Sequence, residues 1–220
     1  MHWVGELEGQ EQLREIWKSL KEGVASAKHP FHTGVLATVG THSGHAVAAE
    51  ARTVVLRGID PDRGCLTIHS HQESSKVSEV RGEPAVSLLL YDDEGRRQLR
   101  LRGVAELHCR DEVTEQRWQK VSPASRACYR APLPPGTPIP AGTPGSDSQE
   151  TSPRETRKDA WADAKQDLSD HEAYQYFVVI EVVLTEIEAL FRDDQGHRRV
   201  RWDLSTREPK PTGLAPYPRR

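Results

Sequence analysis

The fold class is decided by the stretch HTGVLATVGTHSGHAVAAEARTVVLRGID, which runs from His32 to Asp60. Small and β-branched residues fill both halves of it, and a cluster rich in glycine and serine from Gly40 to Gly44 separates the halves. β-Branched residues favour strands, whereas glycine and serine favour turns. The stretch therefore predicts two strands that are joined by a turn into a β-hairpin.

Further strands are predicted downstream of this hairpin. The run from Cys65 to Ser70 follows a turn signal, and Ala85 to Tyr91 is nearly continuously apolar, as in a strand that is covered on both faces. Apolar and polar residues alternate from Gln98 to Leu107, which is typical of a half-buried strand. A long β-branched strand and a basic return strand follow from Tyr176. Because there is no βαβ rhythm, we expect a mainly β (α+β) fold built on a six-stranded antiparallel barrel.

Flanking helices are predicted at three places. From Glu8 to Ala27 the apolar residues recur at three- and four-residue spacing, so they form one stripe that should lie against a sheet; they are Leu13, Ile16, Trp17, Leu20, Val24 and Ala25. A short helix from Ser74 to Val80 begins at a serine cap and ends before Glu83-Pro84. A third helix is expected from about Asp111 to Lys120.

A single domain is expected for residues 1–220, with two weakly structured parts. Between about residues 130 and 173 the sequence is a mixture of Pro, Gly, Ser and charged residues, which cannot bury enough apolar surface to order itself. The tail from about Ser205, rich in Pro and Arg, is expected to be loose.

The composition argues against several classes of function. The formal net charge is −3, from 30 basic and 33 acidic residues, so no overall positive field would attract nucleic acid or an anionic membrane. No apolar run approaches the ~20 residues that cross a bilayer, and the acidic N-terminal stretch does not resemble a signal peptide. The three cysteines form no C-x-x-C pair and the histidines have no complete ligand spacing. We therefore expect reduced cytoplasmic thiols and no metal site.

Candidate binding residues lie on three segments. An arginine that enters the β-branched strand Arg52–Arg57 can offer a planar fork of donors to a phosphate, although a solvated strand end is the commoner role for such a residue. Ser74, Ser75 and Lys76 combine hydroxyls, a helix N-terminus and an ammonium, which suit a phosphate monoester but also an ordinary helix cap. The carboxamide of Gln98 can pair with the polar edge of a ring, or it can be a solvated strand residue.

The order of these segments resembles the FMN-binding half of the pyridoxamine 5′-phosphate oxidase family. The resemblance covers residues from about Phe31 to Trp118, and its motifs are R-x-V-V-L-R, a strand ending in His69-Ser70, S-S-K, an apolar strand after E-P, and R-Q-L-R-L-R-G. It implies a split β-barrel with flanking helices that binds flavin mononucleotide (FMN). The positions that it assigns to the cofactor are Arg52, Thr53, Val54, Val55, Leu56, Arg57, His69, Ser70, Ser75, Lys76 and Gln98.

Two departures from the family pattern concern the phosphate and the substrate. Ser75 stands where the family usually has arginine in an S-R-K turn, so one guanidinium is missing. The family's C-terminal R-L-H motif has its nearest counterpart in His197–Trp202, where the motif histidine is replaced. The resemblance therefore implies a branch that keeps the flavin site and has a different substrate pocket, and not a true pyridoxamine 5′-phosphate oxidase. Whether Arg199, Arg201 or Trp202 contacts the flavin is left open.

The resemblance also implies a function and a partner. FMN would perform hydride or electron transfer, so an FMN-dependent oxidoreductase acting on a small molecule is expected, and the sequence identifies no catalytic residue. The alternative is a non-catalytic flavin carrier, or a relative that binds heme or a deazaflavin. Barrels of the family place FMN between two chains, so a homodimer with FMN at the subunit interface is expected.

Overall fold

The computed structural model describes residues 9–41, 47–130, 169–193, 196–206 and 209–214. The chain divides into two compact units, of which the first contains Met1–His69, Ser75–His108 and Val179–Arg220 and the second contains Ser70–Ser74 and Cys109–Val178. Most of the predicted insertion, residues 131–168, lies outside the described residues, and so does most of the predicted turn at 40–44. The single-domain organisation stays a prediction.

Eight strands form one sheet in the part of the chain that the structure describes: β1 (Thr33–Thr41), β2 (Val47–Asp60), β3 (Cys65–His71), β4 (Ala85–Asp92), β5 (Arg97–His108), β6 (Phe177–Asp193), β7 (Gly196–Asp203) and β8 (Pro211–Leu214). Their order is β3-β2-β1-β4-β5-β6-β7-β8, and β3 also pairs with β6. Six strands therefore close into a ring, which confirms the predicted barrel. The other two strands, β7 and β8, extend the sheet from β6, so the sheet contains more than the six strands predicted.

The first unit contains two of the predicted helices, α1 (Gly9–Ala25) and α2 (Ser75–Gly82). The apolar stripe of α1 buries Leu13, Ile16 and Leu20, as predicted, whereas Val24 is only half-buried and Ala25 is exposed at the end of the helix. The start of α1 is joined to β7, because the indole N–H of the fully buried Trp202 donates to the Gly9 carbonyl oxygen over 3.0 Å. A 3-10 turn at Pro30–His32 leads from this helix region into β1.

Within the single chain the strand β4 is covered on one face only, whereas both faces were predicted to be covered. Val86, Leu88 and Leu90 are buried, but Leu89 is 39% exposed and Tyr91 is 43% exposed. Successive side chains of a strand point to opposite faces, and the neighbouring strands repeat the same division. We call the solvent-facing side of this sheet the outer face; its members include Val35, Thr53, Leu89, Tyr91, Gln98, Arg100 and Val104.

Part of the tail that was expected to be loose is a strand. Pro211–Leu214 pairs with β7, and its register places Trp202 opposite Pro211 and Val200 opposite Gly213. Backbone pairing with the edge of β7 therefore orders a segment whose Pro-rich composition gave no strand signal. Residues 215–220 lie outside the described residues.

The second unit contains the helices α3 (Glu112–Lys120), α4 (Pro123–Arg126) and α5 (Asp170–Tyr174), and a 3-10 turn at Ala127–Tyr129. The helix α3 was predicted, and Asp111 caps it by accepting from the Thr114 backbone N–H. The second unit contains an aromatic cluster. Its members, Trp118, Tyr129 and Phe177, lie with their ring centroids 5.1–5.7 Å apart. Arg126 lies over the Trp118 ring and, like Arg130, forms an ion pair with Asp170. These contacts hold the described residues on both sides of the insertion together.

The environment of Cys65 in β3 gives a prediction that tests this fold. Burial raises the pKa of the Cys65 thiol from 9.0 to about 11, and the Glu181 carboxylate acts in the same direction. At pH 8 a thiol with that pKa is about 0.1% thiolate, against roughly a tenth for one at 9.0, and only the thiolate is nucleophilic. We expect Cys65 to react with Ellman's reagent at least about 100-fold more slowly than the exposed Cys128.

The variants Cys65→Ser and Cys128→Ser identify the phases of these two thiols, because Cys109 is a third free thiol that also reacts. The folded state favours the neutral thiol, so the stability linked to Cys65 is present below the ordinary pKa of 9.0 and is lost as the pH rises through about 11. Equal labelling rates for the two thiols in the native protein would contradict the described burial of β3.

Candidate functional site

Arg52 lies on the core side of β2, with Val54 and Leu56 further along the same side. On the adjacent strand β1, Leu36 is directly opposite Arg52, and the next core-side residue is the buried Thr38. The helix α2 packs against β1 and brings its own polar side chains to the same place. We call this group the Arg52 cluster; it consists of Thr38, Glu50, Arg52, Lys76 and Glu79.

Three side chains of the Arg52 cluster form a closed set of hydrogen bonds. One terminal nitrogen of Arg52 donates to the Thr38 hydroxyl, and the other donates to Oε2 of Glu79 over 2.7 Å. The Thr38 hydroxyl donates to the same Oε2 over 2.5 Å. The side chains of Arg52 and Glu79 are only 19% and 9% exposed. Charge-assisted bonds in so enclosed a place hold the guanidinium in one orientation.

Lys76 adds a second cation to the Arg52 cluster. Burial lowers the pKa of the Lys76 ammonium, the positive charge of Arg52 lowers it further, and Glu79 acts in the opposite direction. The two cations are therefore close enough to repel each other. A half-buried pair of cations, one a planar fork of donors and the other a point charge, has the donor set that a phosphate monoester requires. Arg52 and Lys76 are therefore the residues of the cluster that would hold the phosphate of FMN.

The remaining residues of the predicted strand motif do not share this position. Val54 and Leu56 are buried apolar residues of the core. Thr53, Val55 and Arg57 alternate with them and lie on the opposite side of β2. The strand period of two therefore divides Arg52–Arg57 between two faces, so only backbone groups of the whole motif could act together. The sequence analysis treated the motif as one set, and the structure separates it.

Gln98 lies on the outer face, away from the Arg52 cluster. It is half-buried, with Tyr91 opposite it on β4 and Leu190 opposite it on β6. The outer face next to it is charged: Glu188 forms ion pairs with both Arg100 and Arg199, at 3.3 and 3.2 Å. Glu186 pairs in the same way with Arg102 and Arg201.

These pairs show where the C-terminal residues lie whose contact with the flavin the sequence left open. Arg199 and Arg201 lie on the outer face as partners of glutamates, whereas Trp202 is fully buried in the core of the first unit. Any contact between Trp202 and a flavin would require the core to open. The two arginines can face a molecule that lies on the outer face.

The three other predicted residues lie at the ends of β3 and α2. His69 is half-buried near the end of β3, and Ser75 is the exposed first residue of α2. Ser70 belongs to the second unit, where it is buried and its hydroxyl lies 2.8 Å from that of Ser74. The structure thus joins Arg52 and Lys76 in one cluster, places Ser75 next to Lys76 in sequence, and does not bring Gln98 to them.

Three members of the Arg52 cluster, Thr38, Glu50 and Glu79, were not predicted, although Thr38 and Glu79 carried a signal in the sequence. Thr38 is a polar residue at a core-side position of β1, between Leu36 and Gly40. Glu79 follows Lys76 by three residues on a helix, so the two side chains lie on neighbouring positions of one helix face. Neither signal says which strand the helix packs against.

A surface cleft of about 580 Å³ borders the outer face. It is lined by Tyr91, Asp93, Arg96, Arg192 and His197, at the end where β4 meets β5 and β6 meets β7. Its volume lies within the range of small-molecule sites, and its lining is polar. Tyr91 is also the residue opposite Gln98, so the cleft and Gln98 are neighbours on the sheet.

His29 and His32, which are three residues apart, both have partners within the protein. His29 accepts from the Phe31 backbone N–H through Nδ1, and Nδ1 of His32 lies 2.8 Å from the Gly23 carbonyl oxygen. Within the described residues, no group of three or more His, Cys, Asp or Glu side chains is arranged to hold a metal ion. The helices in that part of the chain are too short or too polar to span a membrane.

Two solved structures have this fold over nearly the whole chain. A pyridoxamine 5′-phosphate oxidase-related, FMN-binding protein from Nostoc punctiforme PCC 73102 is 19% identical, with a TM-score of 0.67 over 92% of this chain and 96% of that chain. PhzG from Burkholderia lata 383, solved with tetrahydrophenazine-1-carboxylic acid, is 21% identical, with a TM-score of 0.63 over 96% and 95%. At these identities the similarity shows the fold alone. No curated protein matches the chain.

One family model matches part of the chain. Residues 14–109 match the model described as pyridoxamine 5′-phosphate oxidase, FMN-binding domain. The matched segment contains the whole Arg52 cluster and every position that the resemblance assigned to the cofactor. FMN is therefore the cofactor that the match assigns, and residues 14–109 are similar to the FMN-binding domain of the pyridoxamine 5′-phosphate oxidase family.

Proposed function

We propose that this protein holds the phosphate of FMN at the Arg52 cluster, between the two subunits of a homodimer, and acts as a flavin-dependent oxidoreductase on a small molecule. The observation that carries the proposal is the joining of Arg52 and Lys76 in one half-buried cluster, within a segment that matches an FMN-binding domain. We place the protein in the cytoplasm, where its three free cysteines would stay reduced.

Each residue of the site has a defined task in this proposal. Arg52 donates from its planar guanidinium to the phosphoryl oxygens. Lys76 adds an ammonium whose flexible side chain can adjust to the position of these oxygens. Ser75, the first residue of α2, adds a hydroxyl and a backbone N–H at the positive end of the helix. Gln98 pairs with the polar edge of the isoalloxazine ring, because its carboxamide both donates and accepts. The bound FMN supplies hydride or electron transfer.

The homodimer is proposed from the positions of these residues. Arg52 lies on the core side of the sheet and Gln98 on the outer face, so one chain does not direct both side chains to one FMN molecule. We therefore propose that a second chain supplies Gln98 to the ring end of FMN, while the phosphate end lies at the Arg52 cluster. The outer face also exposes Val35, Leu89 and Val104, the last of them by 50%. Apolar residues grouped on one face are typical of a surface that a partner covers.

The cleft beside Tyr91 favours an oxidoreductase over a carrier. A carrier needs no second site, whereas an enzyme must place a substrate next to the flavin. The cleft neighbours Gln98 on the sheet and has room for a small molecule. Its arginines and histidine suit a polar substrate with an anionic group.

Reconstitution with FMN tests the proposed function. The purified protein is mixed with FMN and desalted, and the retained flavin is measured at about 450 nm, where the free cofactor absorbs. Anaerobic photoreduction and mixing with oxygen or candidate acceptors then separate the enzyme, whose reoxidation depends on the substrate, from the carrier. Absence of retained flavin, with a Soret band on titration with heme, would instead favour the heme-binding alternative.

Replacing Lys76 with alanine is expected to raise the dissociation constant of FMN about 10- to 150-fold. The loss corresponds to one charge-assisted contact, which contributes on the order of 1.5–3 kcal/mol. Fluorescence titration of FMN measures it, and Arg81→Ala, an exposed cation on the same helix, is the matched control. If Lys76→Ala bound FMN with the same dissociation constant as the wild type, Lys76 would not be part of the FMN site.

A further inference from the structure

Two carboxylates accompany the two cations of the Arg52 cluster. Glu79 accepts hydrogen bonds from both Arg52 and Thr38. Glu50 lies close by, because a Cβ atom on Gly40 would be 3.2 Å from Cγ of Glu79 and 3.3 Å from Cγ of Glu50. Arg52 and Lys76 contribute two positive charges, and Glu50 and Glu79 two negative charges. The cluster is therefore electrically balanced before any phosphate arrives.

Glu79 occupies the donors that a phosphate would use. Both terminal nitrogens of Arg52 donate within the protein, one of them to Glu79 over 2.7 Å and the other to Thr38, which itself donates to Glu79. A phosphate monoester carries close to two negative charges at neutral pH and prefers the same bidentate geometry. A phosphate that reaches Arg52 must either displace the carboxylate or lie beside it, and like charges in an enclosed place repel strongly.

We infer that Glu79 competes with the phosphate of FMN for Arg52 and thereby sets how strongly this chain binds phosphorylated flavins. The inference rests on the proposed function, since it places the phosphate at the Arg52 cluster. It assigns Glu79 a role opposite to that of a residue that merely orients the guanidinium. An orienting residue would strengthen FMN binding, whereas a competing carboxylate weakens it and acts only on ligands that carry a phosphate.

The variant Glu79→Gln tests this role. Glutamine keeps the shape and an oxygen acceptor for Arg52 and Thr38 but removes the negative charge. We expect its dissociation constant for FMN to be about tenfold lower than that of the wild type, or lower still. Riboflavin has the same ring without the phosphate, so its dissociation constant should change less than about twofold. Glu94→Gln, an exposed glutamate in the turn between β4 and β5, makes the same change of net charge elsewhere and should alter neither value.

Inorganic phosphate provides a measurement that does not depend on the flavin. Phosphate should raise the melting temperature of Glu79→Gln more than that of the wild type. Unchanged or weaker FMN binding by Glu79→Gln would overturn the inference, and so would an equal gain for FMN and riboflavin, which would indicate a structural effect. If neither protein bound FMN but phosphate stabilised Glu79→Gln selectively, the proposed function and the effect on flavin binding would fail, and only the competition between Glu79 and a phosphate for Arg52 would stand. If phosphate stabilised neither protein and neither bound FMN, both would fail.

Discussion

Replacing Arg52 with leucine is expected to lower FMN affinity by a factor on the order of 100 to 10,000. Two charge-assisted hydrogen bonds to the phosphate are lost, and each contributes roughly 1.5–3 kcal/mol. No other residue of the Arg52 cluster can replace the planar fork, because Lys76 offers a single ammonium. Isothermal titration calorimetry with FMN measures the loss. The exposed Arg14→Leu in α1 removes the same charge away from the site and serves as the control.

The same substitution also affects folding, and a double variant separates the two effects. Without Arg52 the Glu79 carboxylate, 9% exposed, loses its ion pair, so the free energy of unfolding should fall by about 1–3 kcal/mol. Adding Glu79→Gln to the Arg52→Leu protein should restore most of the lost free energy of unfolding. It should not restore the FMN affinity that the Arg52 guanidinium contributes. Wild-type FMN affinity in a folded Arg52→Leu protein would show that the phosphate binds elsewhere.

Replacing Leu89 with arginine is expected to convert the proposed homodimer into a monomer and to reduce FMN binding with it. Leu89 lies on the outer face between Val35 on β1 and Arg100 on β5. A new guanidinium there would be buried against the partner without a counterion and next to an existing cation. Such a charge costs several kcal/mol, so the dimer dissociation constant should rise on the order of 1,000-fold.

Sedimentation velocity measures the expected change in assembly. Ala25→Arg, at the exposed end of α1, adds the same charge to another surface and should leave the sedimentation coefficient and FMN affinity unchanged. Because Leu89 is already 39% exposed in the single chain, the substituted monomer should keep its fold, which circular dichroism can verify. A Leu89→Arg protein that stays dimeric, or a wild-type monomer that binds FMN fully, would rule out the proposed interface.

The alternation of apolar and polar residues predicted much of the barrel. In β4 the prediction differs from the structure of the single chain, and the difference has a physical cause. In β5, from Gln98 to Leu107, the charged residues share one face, and Leu99 and Leu101 on the other face are buried, as the predicted alternation requires. In β4 both faces are apolar, and a single sequence does not say whether the second face is covered by its own chain or by a partner. Leu89 and Tyr91 were therefore predicted to be covered and are exposed in the single chain.

The two cations of the candidate site were predictable from the sequence, and its two carboxylates were not. Arg52 and Lys76 were named from local patterns, a strand entrance and a helix start. The bond between Thr38 and Glu79 joins residues 41 positions apart and depends on how α2 packs against β1, which no local pattern contains. Alternation along Arg52–Arg57 could have separated its two faces in advance, because the strand period applies to a motif as it does to any other strand.

A crystal structure of the FMN complex tests the central claim most directly. The account predicts phosphoryl oxygens at about 3 Å from the guanidinium of Arg52 and the ammonium of Lys76, a typical length for charge-assisted bonds, with Glu79 moved away from Arg52. An FMN phosphate bound at another place, while Arg52 keeps its bonds to Thr38 and Glu79, would contradict it.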